Sequence, residues 1–241
     1  MATFEAQVQG LTTMALSGST TPTQDELTQF LIDGVIDVTG KTISIRSRDK
    51  VLFQRESDTT SSNGLDLNGA NIISVMREAG ASGDTDGSTA WRQCRQIPIS
   101  QQSRVVDTES LHFASKYSPV YAIDVDGTIN VYPVPDGTDD GFRVFYVNNS
   151  PEDGSGGALT YADSDIKYFP KDRIYLVVIY AAIKALEAKL ASYTIDEEDS
   201  ELVVSLQSIL QQLRADYTGG FLPDKQQEAA LQASAQRRAQ G

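Results

Sequence analysis

Two carboxylates stand one residue apart in the stretch Val120 to Pro135, VYAIDVDGTINVYPVP. Asp124, Asp126, Gly127 and Thr128 could do chemistry, because a positioned carboxylate can attack, carry a proton or hold a hard cation. The same residues also suit a tight bend between two strands. Asp-Gly is a strong hairpin signal, and Gly takes positive φ at no steric cost. The remaining candidates are few. His112 is the only histidine and Cys94 the only cysteine, which excludes an intrachain disulfide and a zinc site of several His and Cys ligands. Asp84, Asp86 and Gly87, like Asp124, Asp126 and Gly127, imitate the middle of a calcium loop. Aligned to that loop, the first ligand would fall on Ser82 or Ala122 and the closing bidentate acid on Gln93 or Pro133. Loop solvation is the better account, and no metal or other cofactor is expected. His112, between Leu111 and Phe113, reads as a packed or surface histidine. Trp91 beside Arg92 and Arg95 could stack on nucleic-acid bases, but a partly buried loop anchor fits better. No P-loop and no GxGxxG is present.

Composition bounds these readings. A chain of 241 residues can bury a real core, and 40% hydrophobic with 22% charged residues is ordinary for a globular protein. The net charge of −13 argues against a general duplex-binding surface, since phosphates would be repelled. The opening MATFEAQVQG has no basic region or apolar run, so no signal peptide is expected. The apolar stretch Ile174 to Ile183 is too short to span a bilayer. A soluble intracellular product without a membrane partner is the expectation.

The elements that must position these residues change character along the chain. Phe4, Val8, Leu11 and Ala15 recur at helical spacing until Gly18 to Pro22 breaks the pattern. Thr23 and Glu26 form a capping box, and Leu27, Phe30, Leu31, Val35 and Val38 then fall on one face of a helix that Gly40 should end. Residues 1–40 are the N-terminal helices. Residues 41–157 read as a β-rich domain. Strands are expected around Asn68-Gly69, from Leu65 to Val75. An edge strand is expected at Ile97-Pro98-Ile99, and a short helix fits within Val105 to Ser115. Val120 to Val125, Thr128 to Val134 and Phe142 to Val147 read as three strands, turning at Asp126-Gly127 and near Gly137. These strands predict a small antiparallel sheet or sandwich. In 158–220, Pro170 opens a helix over Ile174 to Leu190 that is apolar nearly all round at first. An acidic link, Asp196 to Asp199, leads to a second helix carrying Leu202, Leu206, Ile209, Leu210, Leu213 and Tyr217 on one stripe, stopped by Gly219-Gly220. So short a link predicts an antiparallel helical hairpin. Residues 221–241 form a C-terminal arm, rich in Ala and Gln and too poor in large apolar residues for a core of its own. The fold class is therefore α+β: a helical bundle of N-terminal helices plus a C-terminal hairpin, an inserted antiparallel β domain, and an extended arm.

Asp124-Val125-Asp126-Gly127-Thr128 is similar to the DxDGT signature of haloacid-dehalogenase-type phosphatases. That resemblance implies a magnesium-dependent enzyme with Asp124 as nucleophile and Asp126 as general acid/base. It also requires a parallel sheet and a crossover helix after the motif. Here Ile129 to Val134 alternates with period two and contains Pro133, which is a returning strand. Asp139-Asp140 imitates the family's acidic pair with no α/β unit between. A scaffold turn is expected, with the phosphatase as the alternative.

The whole layout, and the segment FPKDRIYLVVIYAAIKALEAKLASYTIDEEDSELVVSLQSILQQLRADYTGG in particular, resembles the head-to-tail adaptor (connector, or neck) proteins of tailed bacteriophages. Thr21 to Gly40, TPTQDELTQFLIDGVIDVTG, is similar to that family's N-terminal bundle helix. The resemblance implies a virion structural protein, assembled in the host cytoplasm, and not an enzyme. It implies a ring of twelve copies in the neck, docked beneath the portal protein and above a downstream tail protein, with genomic DNA passing without sequence-specific binding. Another tail or baseplate component is the neighbouring reading. Subunit contacts are expected at Ile174, Tyr175, Val178, Ile179 and Ala182, which could not all face one monomer's core. Portal contacts are expected along the arm at Pro223, Lys225, Leu231, Arg237 and Arg238.

Overall fold

The computed structural model describes residues 2–79, 91–135, 141–148, 150–193 and 200–221. In chain order the elements are α1 (Phe4–Thr12), α2 (Gln24–Ile45), β1 (Gln54–Glu56), β2 (Ile72–Glu78), β3 (Trp91–Gln93), β4 (Arg95–Gln96), α3 (Gln102–Val106), β5 (Val120–Ile123), β6 (Ile129–Tyr132), β7 (Phe142–Val147), α4 (Ile174–Tyr193) and α5 (Ser200–Gly219). Helices and mostly antiparallel sheets make the protein α+β. The chain divides into two compact units. Residues 53–149 form one, and residues 1–52 with 150–241 form the other.

The helical unit is built around α4. Its apolar sequence, IYLVVIYAAIKALEAKL, buries Leu176, Val177, Val178, Ala181, Ala182, Ile183, Ala185 and Leu186. Helices α1, α2 and α5 all pack against it, so apolar residues on several faces find neighbours within one chain. α1 starts with Thr3 Oγ1 accepting the Ala6 amide at 3.3 Å. Two more of its end amides, Phe4 and Glu5, donate to the carbonyls of Asp163 and Tyr161 at 2.7 and 3.0 Å. α2 starts with the expected capping box: Thr23 Oγ1 accepts from the Glu26 amide, and Glu26 Oε2 accepts from the Thr23 amide at 2.7 Å. Leu27, Leu31, Val35 and Val38 are buried as their spacing requires, while Phe30 is half-buried.

Gly40 does not end α2. The helix runs on to Ile45, because Gly40 lies on an exposed face while Thr39 and Thr42 continue the buried one. The change of character expected at Lys41 therefore falls inside a helix. Pro170 precedes a single 3₁₀ turn, Lys171–Arg173, that leads into α4. α4 and α5 form the expected antiparallel hairpin. Glu187 meets Arg214 at 2.7 Å, Tyr180 meets Tyr217 with ring centroids 5.8 Å apart, and Gly220 lies against Leu176. Leu206, Leu210, Leu213 and Tyr217 form its buried stripe.

The β unit holds two sheets, ordered β1-β7-β2-β3 and β4-β5-β6. Four corrections to the sequence reading arise here. β4 pairs with β5 in parallel, so the unit is not purely antiparallel. β7 joins β1 and β2 in the other sheet instead of following β6. The expected edge strand Ile97-Pro98-Ile99 is displaced to Arg95–Gln96, and Ile99–Gln101 is a 3₁₀ turn, since Pro98 has no amide to extend the ladder. Leu65 makes only an isolated bridge to Ile129, and a regular strand begins at Ile72. The turn expected near Gly137 lies outside the described residues. One core cluster draws Val75, Cys94, Tyr121, Ile129, Val131, Phe142 and Val144 from both sheets. A second, with Ile97, Val105, Ala114, Val120, Ala122 and Tyr132, covers the other face of β5 and β6. β5 is thus apolar on both faces because both are covered.

The crossing of α2 on α4 sets one constraint. A Cβ on Gly34 of α2 would meet Tyr180 Cδ1 at 3.1 Å and Val177 Cγ1 at 3.3 Å. Gly34→Val adds two further methyls there and is expected to cost roughly 1–3 kcal/mol of stability, read as a lower urea midpoint.

Candidate functional site

Asp124 and Asp126 sit in the loop joining β5 to β6, which pair antiparallel from Ile123↔Ile129 to Val120↔Tyr132. The Asp124 amide donates to the Thr128 carbonyl at 2.9 Å, and the Gly127 amide to the Asp124 carbonyl at 3.0 Å. Gly127 has φ 84°, which explains glycine at that position. The two carboxylates serve the turn itself. Asp124 Oδ1 accepts from the Val125 amide at 2.7 Å, and Asp126 Oδ1 accepts from the Thr128 hydroxyl at 2.9 Å. Hydrogen bonds from the Thr128 hydroxyl and amide hold the Asp126 carboxyl below its ordinary range. The hairpin expected from the sequence is present, and the next strand returns directly with no crossover helix after the motif.

The other sequence candidates do not converge on these acids. His112 is exposed in a turn, flanked by exposed Leu111 and Phe113. Asp84, Asp86 and Gly87 lie outside the described residues, and among those residues no group of three or more His, Cys, Asp or Glu could hold a metal ion. Trp91 is a half-buried strand residue, not a loop anchor, and its partner differs from the neighbours in sequence. The Arg143 guanidinium, which also pairs with Glu56, lies 4.1 Å from the Trp91 ring centroid. Stacking on its own arginine occupies one face of the ring. No described helix is long and apolar enough to cross a membrane.

Of the five α4 residues expected to contact another subunit, Val178 and Ala182 are buried within the single chain. Ile174 and Ile179 are half-buried, and Tyr175 is 49% exposed. α1, α2 and α5 pack against α4, so Val178 and Ala182 are taken up within the chain, while the five residues do not all face its core. Tyr175 is the one of the five that remains broadly open. Pro223, Lys225, Leu231, Arg237 and Arg238 lie outside the described residues.

Two polar features were missed from sequence. At the α2–α5 contact Asp37 accepts from the Tyr217 hydroxyl and pairs with Lys41 at 2.7 Å. The Lys41 ammonium lies 4.7 Å from the Tyr217 ring centroid and 5.9 Å from that of Phe221. Burial, then the hydrogen bond to Asp37, pushes the Tyr217 phenol well above its ordinary value. The i, i+4 spacing of Asp37 and Lys41 was the available signal, but their partner is far away in sequence. In the β unit, Arg77 is fully buried. Its Nε donates to the Pro133 carbonyl at 2.9 Å, and its Nη1 to the Glu78 carbonyl. No strand pattern flags an inward arginine.

A cleft of about 400 Å³ opens where the chain passes from one sheet to the other, lined by Ile73 and Ser74, by Gln93 to Gln96, and by Tyr121. It adjoins a register irregularity between Ile72 and Ser74 in the pairing of β2 with β7. Burial pushes the Cys94 thiol up to about 12, so it is protonated and a poor nucleophile at neutral pH. No protein-family model matches the chain, and no curated protein sequence matches it.

Cys94 supplies the check on this environment. Native protein should react with a thiol reagent at mildly alkaline pH at least about a hundredfold more slowly than protein unfolded in urea. A raised thiol pKa stabilises the fold fully below the unfolded value. That contribution is lost as pH rises from about 9 to about 12, which alkaline unfolding curves of wild type and Cys94→Ala should separate.

Proposed function

We propose that this chain is a head-to-tail adaptor subunit of a tailed bacteriophage, a virion structural protein without enzymatic activity. In this reading copies form a ring of about twelve beneath the portal, as in the resembled family, and join it to a downstream tail protein. Its bundle is the unit made from both chain ends, and residues 53–149 are an insertion that carries the β sheets. The observation that carries the reading is the α4–α5 hairpin. A proline-led helix packs its apolar surface against α1, α2 and α5, and the returning helix closes at Gly220 against Leu176. This is the segment whose text resembles the adaptor proteins. The net charge of −13 suits a channel wall past which DNA slides without sticking. The use of both Asp124 and Asp126 carboxylates inside a hairpin turn also supports a non-catalytic role.

Purified chain mixed with a portal ring should give a second ring beneath it in negative-stain images. Deleting residues 223–241 should leave a folded protein that no longer docks. Particles that assemble normally with the truncated chain would remove the arm as the docking element. Magnesium-dependent phosphatase activity that disappears in the Asp124→Asn, Asp126→Asn double variant would replace this reading with the enzymatic one.

A further inference from the structure

The chain contains two Asn-Gly steps, Asn63-Gly64 and Asn68-Gly69, both in the segment between β1 and β2. In sequence they are alike, and each can react with itself, because glycine has no side chain to shield its amide nitrogen. The glycine nitrogen attacks the asparagine Cγ and the Cγ–Nδ2 bond breaks. Ammonia leaves, carrying the proton that the glycine nitrogen gives up. Water then opens the resulting succinimide at one of its two carbonyls. One opening gives aspartate. The other gives isoaspartate, in which the main chain runs through Cβ and Cγ. The only other reactant is water.

The fold treats the two steps differently. At the first, both reacting groups are held. The Gly64 amide donates to the Ile129 carbonyl at 3.1 Å. The Asn63 carboxamide takes the place of a strand residue along β6: its Oδ1 accepts from the Val131 amide at 2.9 Å, and its Nδ2 donates to the Val131 carbonyl at 3.1 Å. The Leu65 carbonyl continues this row of bonds, accepting from the Ile129 amide at 2.9 Å. Asn63 is half-buried. To close the succinimide, Asn63 must release Val131 and Gly64 must release Ile129, which strips one edge of β6.

At the second step the nucleophile is not held. Leu67 to Ala70 is a tight turn, closed by the Ala70 amide donating to the Leu67 carbonyl at 3.0 Å. Asn68 has φ 52° and Gly69 has φ 71°. Positive φ at both central residues is the pattern of a type I′ turn, which favours Asn-Gly. The Asn68 amide donates to Asp66 Oδ1 at 2.7 Å. The Gly69 amide makes no hydrogen bond among the described residues. Asn68 and Gly69 are both exposed, and a Cβ on Gly69 would meet no atom within 4 Å. Water and a free amide nitrogen therefore stand together at this step.

We infer that Asn68 is a self-modification site, at which the native chain converts to aspartate and isoaspartate, while β6 protects Asn63. The inference does not rest on the adaptor reading. Its two products act differently. Aspartate adds a negative charge close to Asp66. Isoaspartate also lengthens the main chain by a methylene, in a turn that leads to Asn71 and β2. There the Asn71 carbonyl accepts from the Val147 amide at 2.9 Å.

Peptide mapping of the full chain tests it. Native protein and protein unfolded in urea are incubated in mildly alkaline buffer, digested, and followed by mass spectrometry with chromatographic separation of the aspartyl and isoaspartyl peptides. In the native chain Asn68 should convert at least about tenfold faster than Asn63, because the second site must first break the hydrogen bonds that hold it. In urea the two should convert at comparable rates. Asn68→Asp should remove the native conversion. A native chain in which Asn63 converts as fast as Asn68, or in which neither converts while both do so in urea, overturns the inference. A difference that persists unchanged in urea also overturns it, since the fold would not be its cause.

Discussion

The helical unit depends on the burial of α4 from several sides at once. A helix with Leu, Val, Ile and Ala on successive faces is stable in water only if its neighbours cover those faces. α1, α2 and α5 do so, and each must first be positioned. α1 is held by amides that donate to the carbonyls of Tyr161 and Asp163, and α2 by its Thr23–Glu26 box. Gly34 lets α2 approach α4, and Gly220 lets the end of α5 lie against Leu176. These small residues matter because a side chain at either place would meet atoms already in contact. The same packing takes up Val178 and Ala182 inside the chain and leaves Tyr175 exposed.

The β unit solves a different problem, since the strand pair β5–β6 is covered on both faces. Tyr121, Ile129 and Val131 enter the core shared by the two sheets, while Val120, Ala122 and Tyr132 meet the segment from Ile97 to Ala114. Such a pair needs a sharp reversal at its end, and the Asp124–Thr128 loop provides it with backbone bonds, a left-handed Gly127 and two side-chain carboxylates. A carboxylate engaged in shaping its own turn is less available for other chemistry. Arg77, buried in the same unit, is tolerated because carbonyl oxygens receive its guanidinium hydrogens.

Charge is distributed unevenly over this acidic molecule. The Tyr217 hydroxyl donating to Asp37 links α5 to α2, and Arg214–Glu187 links α5 to α4, while Lys41–Asp37 pairs along α2 itself. Arg46, Arg48 and Lys50 stand outside such pairs, next to aliphatic side chains that water still reaches. Exposed ion pairs add little to a monomer's stability.

Local physics made much of this protein legible from its residues alone. The Thr23–Glu26 box and the reversal at Asp126-Gly127 each depend on atoms a few residues apart, and each is present; of the expected α5 stripe, Leu206, Leu210, Leu213 and Tyr217 are buried, Ile209 is half-buried and Leu202 is exposed. What needed the tertiary structure is everything set by partners distant in sequence. Gly40 looked like a stop, but the buried face of α2 continues through Thr42. β4 could pair in parallel with β5, and β7 could leave β6 for β2, because strand pairing follows shared cores and not sequence neighbours. Trp91 met Arg143, and Tyr217 met Asp37, across separations that no periodicity encodes. Hydrophobic spacing tells which residues must be buried. Only the packed chain decides what buries them, because that choice is made by shape and charge among segments that the sequence keeps apart.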